Sequence, residues 1–204
     1  MKYLFRNVLT VIMVLTLLCI TAHASEYDDS GYSKATIYIQ NKLDEYYHDH
    51  FETAIGYWDG YDDEGNKHLP GRSIVVNTES YSQITNVSFR FHPEFGVLNS
   101  QFTYGLYVVE YPTSLACDCH TTAGFTIYIN DYFAREATDE YLRTSNENLA
   151  TIVHEMGHAY GLIDFDESYY VYDSIMSYRV NNNTMYQPQE RDYRNARASW
   201  ARHE

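Results

Sequence analysis

The stretch 154–164, HEMGHAYGLID, constrains this chain more than any other. His154 and His158 lie four residues apart, so a helix puts both imidazoles on one face, one turn from each other. That geometry suits two corners of a tetrahedral zinc site. Glu155 points beside them and can take a proton from a water that the metal activates. Gly161 tolerates the positive φ of a helix end and lets the chain turn back. Asp164 then falls six residues past His158, where a carboxylate can provide a third protein ligand. Three protein ligands leave the fourth position open, which separates a catalytic zinc from a closed structural one. A bare H-E-x-x-H carries a real risk of chance occurrence. Gly161 and Asp164 at fixed offsets make chance a poor explanation.

The extended pattern H-E-x-G-H-x-x-G-x-x-D resembles the signature of the metzincin zinc peptidases, H-E-x-x-H-x-x-G-x-x-H, with Asp164 in the last position. Asp there is the pattern of the snapalysin family, and it leaves snapalysin-like and matrixin-like assignments both open. Downstream, Ser174-Ile175-Met176-Ser177-Tyr178 resembles the Met-turn in its S-x-M-x-Y form, with Met176 12 residues after Asp164. The resemblance implies an α+β fold: a single metzincin-like domain with a twisted mixed β-sheet, a zinc-site helix, a Met-turn and a C-terminal helix. It implies one catalytic Zn2+ on His154, His158 and Asp164, with Glu155 as general base. Met176 would be a packing floor rather than a ligand, because a thioether suits softer metals. The Tyr178 hydroxyl would approach the metal or the substrate oxyanion.

The implied activity is a secreted zinc-dependent endopeptidase. Its extended peptide or protein substrate would lie along an exposed sheet edge, supplied by 104–111 or 124–130. Two other readings fit the same residues. One is an exported zinc hydrolase of non-peptide amides or esters. The other is a zinc-stabilised binding protein without turnover, against which stands Glu155, whose evident use is chemistry. If Asp164 is not the third ligand, Asp166, Glu167 and Asp173 are next in line. Glu190 is a poor gluzincin-type ligand because it follows the Met-turn.

Residues 1–24, MKYLFRNVLTVIMVLTLLCITAHA, read as a cleaved secretory signal peptide. Lys2 and Arg6 precede an apolar run over 8–20, and Ala22-His23-Ala24 is an A-x-A cleavage site. A membrane span needs about 20 apolar residues, more than this run has. A soluble, exported mature chain is expected, with no membrane contact after cleavage. Losing two cations and no acid moves the formal charge from −14 to −16. That balance argues against a nucleic-acid or anionic-membrane partner, since phosphate binding needs clustered Lys and Arg. The protein is expected to act as a monomer.

Residues 25–33 read as a loose tail and 34–204 as one catalytic domain, large enough for a core with hydrophobic residues at 45%. Strands are expected at 36–40, 72–77, 86–92, 104–111 and 124–130 from their Val, Ile, Phe and Tyr content. Helices are expected at 42–58, 130–142, 145–160 and 187–200, with Asn146 capping the third. The acidic loop 59–67 does not fit EF-hand spacing, so calcium is unsupported. Cys117 and Cys119 read as a local loop staple in an oxidising compartment; a metal or redox site with His120 is the alternative. His48 and His50 lie on an expected exposed helix, His92 precedes Pro93 at a strand end, and His68, His120 and His203 have no partners at metal spacing. Asn86-Val87-Ser88 and Asn182-Asn183-Thr184 fit the glycosylation triplet. The 22 Tyr residues suggest rings packed in half-buried positions with a polar tip kept available.

Overall fold

Strand β1 (Thr36–Lys42) alternates as a half-buried strand must: Ile37 and Ile39 are buried and Tyr38 between them is exposed. The computed structural model describes residues 35–87, 104–110, 124–136, 142–165, 171–177 and 181–201. The expected signal peptide and tail lie outside these residues, as do Cys117, Cys119, Asp166, Glu167 and Tyr178. After β1 come a 3-10 turn (Glu45–Tyr47), helix α1 (His48–Asp59), and strands β2 (Ser73–Val76), β3 (Gln83–Val87), β4 (Gly105–Glu110) and β5 (Gly124–Asn130). A π-helical turn (Tyr132–Glu136) and helices α2 (Ser145–Ala159) and α3 (Glu190–Trp200) complete the described elements.

Among the described residues the strands form one five-stranded sheet in the order β2-β1-β3-β5-β4. Neighbours are parallel except at one edge, where β4 runs antiparallel to β5. The protein is thus a mixed α+β domain with a mostly parallel sheet. Among the described residues β4, not β5, is the edge strand. The expectation that 124–130 might supply an open edge is corrected, because β5 is hydrogen-bonded on both sides.

Ile37, Ile39, Ile84, Phe125 and Ile127 of the sheet share one core with Phe51, Ala54 and Trp58 of α1 and with Ile152, Val153 and Met156 of α2. Trp58 is fully buried, and its indole N–H donates to the Val153 carbonyl at 3.0 Å. This bond satisfies a polar atom that would otherwise be costly inside and fixes α1 against α2.

Three boundaries differ from the sequence pattern. The helix expected at 42–58 starts at His48, because β1 runs on to Lys42 and Asp44 caps the 3-10 turn by accepting the Tyr46 N–H at 3.1 Å. The strand expected from 86 begins at Gln83, where parallel pairing sets buried Ile84 beside buried Ile127, and 88–92 lie outside the described residues. In place of the start of a helix at 130–142 stands the π-helical turn. Asp131 ties that turn down, accepting the Tyr47 hydroxyl and Arg135 Nε, each at 2.8 Å. The Asn86 amide nitrogen donates to Asp44 and Asp131 in the same cluster, which commits it inside the fold rather than to a glycan.

α2 is capped two residues earlier than expected, at Thr144. Thr144 Oγ1 accepts the Glu147 N–H at 3.3 Å, and Glu147 Oε2 accepts the Thr144 N–H at 2.8 Å. This reciprocal capping box outcompetes Asn146, whose side chain donates to the Asn183 carbonyl at 2.9 Å instead. Thr144→Ala should lower the unfolding free energy by about 1 kcal/mol. A urea melt should show an earlier midpoint at unchanged slope. Asn146→Ala should fall well short of that loss.

Candidate metal centre

The last two turns of α2 carry His154, Glu155 and His158, and Gly161 ends the helix with φ 81°. The Gly161 N–H donates to the His158 carbonyl at 2.9 Å and the Leu162 N–H to the Gly157 carbonyl at 3.2 Å. These bonds satisfy the end carbonyls and reverse the chain. The reversal carries Asp164 back over the helix, where its Oδ1 lies 2.9 Å from His154 Nε2 and 3.4 Å from His158 Nε2. The three ligand-type atoms lie within 4.8 Å of one another.

Both imidazoles are oriented from behind. His154 Nδ1 meets the Ile175 carbonyl at 3.0 Å, and His158 Nδ1 meets the Leu162 carbonyl at 2.8 Å. A carbonyl can only accept, so each Nδ1 carries the hydrogen and each Nε2 turns its lone pair inward. Three acceptor atoms that converge on one point repel one another unless a cation lies between them, either a shared proton or a metal ion. Burial alone would lower the His154 pKa, but the hydrogen bond and charge of Asp164 raise it to about 9. His158 rises for the same reasons. Burial works to raise the Asp164 pKa, yet the two imidazoles hold it well below the usual carboxylate range. The donor set therefore fits a divalent metal.

Glu155 is buried beside this group. Burial raises its pKa, while the imidazoles and a hydrogen bond from the Tyr107 backbone N–H pull the other way. β4 packs on this part of α2, with the Tyr107 ring 5.7 Å from that of His158. The site thus sits where α2 meets β4, the edge strand among the described residues.

Residues 174–177 form a buried turn under the helix. Met176 packs against α2: a Cβ added to Gly157 would stand 2.6 Å from its Sδ, so helix and turn touch backbone to side chain. Asp192 of α3 holds the turn. It accepts the Ser174 hydroxyl and, at 3.0 Å, the Ile175 N–H, and the Ile175 carbonyl in turn orients His154. Sequence reasoning missed Asp192, whose visible signal is its third place in the first turn of α3, where it also accepts the Gln189 N–H at 2.7 Å.

The remaining expected residues are placed as follows. Asp173 pairs with Arg191 at 2.9 Å and Glu190 with Arg197, both away from the cluster. Asp62 spends its carboxylate on the Glu64 and Asn66 N–H groups, and Asp59 pairs with Lys67 at 2.8 Å. Asp59 and Asp62 thus serve the loop itself. His50 meets Ser145 Oγ at 2.8 Å and His68 stacks on Tyr193.

A scan of the sequence against protein-family models finds no match, and neither does a search of curated proteins. What fold and site define together is an α+β domain with a half-buried His-His-carboxylate group able to hold a metal ion beside its edge strand.

In an open helix Gly→Ala is stabilising. Gly157→Ala should instead destabilise by about 1–3 kcal/mol, because the added methyl meets Met176 and Trp58 in a filled core. A denaturant titration read by Trp fluorescence decides the sign.

Proposed function

We propose that this protein is an exported zinc-dependent endopeptidase of the metzincin type. The observation that carries the reading is the convergence of His154 Nε2, His158 Nε2 and Asp164 Oδ1, with the Glu155 carboxylate buried beside them. Around a tetrahedral zinc with bonds of about 2.0–2.2 Å, neighbouring ligand atoms stand about 3.3 Å apart. Separations of 2.9 and 3.4 Å can close on such an ion with small side-chain movements. Two imidazoles and one carboxylate suit zinc and leave a fourth position for chemistry.

Bound there, zinc would supply Lewis acidity to the scissile carbonyl and to water. The chain's own residues do the rest. Glu155 takes a proton from the attacking water and passes it to the leaving amine. Its burial supports that role, since a base works best with a pKa drawn toward the working pH. The Ile175 and Leu162 carbonyls keep both imidazoles in the ligating tautomer. β4 offers the outward backbone groups that Glu155 leaves unused to an extended peptide, the recognition mode in which a ligand adds a strand to a sheet. Tyr178, outside the described residues, keeps on its sequence motif alone the role of donor to the developing oxyanion. The export signal at 1–24 and the monomeric state belong to the same proposal.

The test is a digestion. Zinc-loaded protein should cut unstructured proteins, stop when a chelator is added, and resume when zinc returns. Glu155→Ala should keep one zinc and lose about 10²–10⁴-fold in kcat. Asp164→Ala should lose zinc affinity. A wild-type protein that binds one zinc and cuts nothing across a broad library would sink the peptidase reading. Unchanged zinc affinity in Asp164→Ala would move the third ligand to Asp166 or Glu167.

A further inference from the structure

β4 lies close to the proposed general base at a residue with no side chain. A Cβ built on Gly105 would stand 2.6 Å from both Cγ and Oε1 of Glu155, and 2.9 Å from its Cδ. Real Cβ atoms do not approach that closely, and Glu155 is buried with little room to retreat. The glycine is used here for space, since its φ is not among the positive ones. A glycine inside a strand marks such a close approach.

The backbone of the same strand completes the seat. Asn130 donates to the Tyr104 carbonyl at 2.8 Å, and the antiparallel register pairs Gly105 with Ile129 and Tyr107 with Ile127. In such a ladder the backbone groups alternate in direction. Residues 104, 106 and 108 therefore turn theirs toward β5, and 105, 107 and 109 turn theirs away from it. The Tyr107 N–H, one of those turned away, is the group that donates to the Glu155 carboxylate. A carboxylate that spends one oxygen on a fixed N–H has its plane set and keeps the other oxygen for a water.

We propose that Gly105 is a positioning residue for the reaction: its missing side chain lets the Glu155 carboxylate seat against β4, where the Tyr107 N–H fixes its aim at the His154–His158–Asp164 group. The inference rests on reading Glu155 as the general base. Any side chain at 105 displaces the carboxylate from that N–H without touching a metal ligand.

Amide hydrogen exchange on the ¹⁵N-labelled full chain, alongside steady-state kinetics, tests it. In Gly105→Ala the Tyr107 amide should exchange about tenfold faster, the loss of one hydrogen bond, while Leu106 and Val108 keep the wild-type rates that their bonds to β5 give. Zinc stoichiometry and KM should stay, and kcat should fall by at least about tenfold. Glu155→Ala, with the glycine retained, should reproduce the selective change at Tyr107 even if Gly105→Ala disturbs the strand. Wild-type exchange at Tyr107 in either variant overturns the proposal. So does a loss at Leu106 and Val108 as large as that at Tyr107 in both variants, because Gly105 and Glu155 would then serve the strand and not each other. If wild-type protein cuts no peptide, the general-base reading falls, and the exchange rates still decide whether Gly105 seats Glu155.

Discussion

The reversal of the chain at Gly161 is the constraint on which the site depends. A φ of 81° is strained for any residue with a Cβ. It lets Leu162 return its N–H to Gly157 and present its carbonyl to His158. It also carries Asp164 to both imidazoles. One backbone conformation thus ends the helix, sets a tautomer and delivers the third ligand. Without it His154 and His158 would be two helical histidines with no carboxylate between them.

Around that reversal the support comes from distant parts of the chain. Asp192 on the last helix holds the 174–177 turn, and the Ile175 carbonyl of that turn holds His154. Gly157 lets Met176 come up under the helix, and Gly105 lets Glu155 lie against the edge strand. Both glycines act by absence, since each leaves a space that a side chain from elsewhere fills. Buried carboxylates at Glu155 and Asp192 are costly to ionise, and both have raised pKa values from burial. Each is offset by backbone N–H donors, which is how a fold keeps charge inside.

Local information was the part legible in the sequence. His154, Glu155 and His158 lie within two helical turns, so periodicity could place them, whereas Gly161 and Asp164 were readable only as offsets past the helix end; 124–130 matches its strand residue for residue. The rest failed where pairing partners decide. The strand expected from 86 begins at Gln83, because only contact with β5 says which residue meets Ile127. The cap moved from Asn146 to Thr144, although T-x-x-E was readable as a reciprocal box. Gly105, Tyr107 and Asp192 were not visible as site residues, since their roles arise from contacts between positions far apart in the chain that no short motif encodes. The tyrosine excess is clearer in part. Tyr47 and Tyr193 bury their rings and donate their hydroxyls to Asp131 and to the Tyr57 carbonyl, each at 2.8 Å.

The central claim is that one metal ion sits on two imidazoles and a carboxylate. Zinc-edge X-ray absorption on the loaded protein measures that directly. The account predicts a four-coordinate shell of nitrogen and oxygen at about 2.0–2.2 Å, with outer-shell scattering from two histidine rings. Sulfur at about 2.3 Å would put the ion on Cys117 and Cys119 instead, and a shell without imidazole would contradict the account outright.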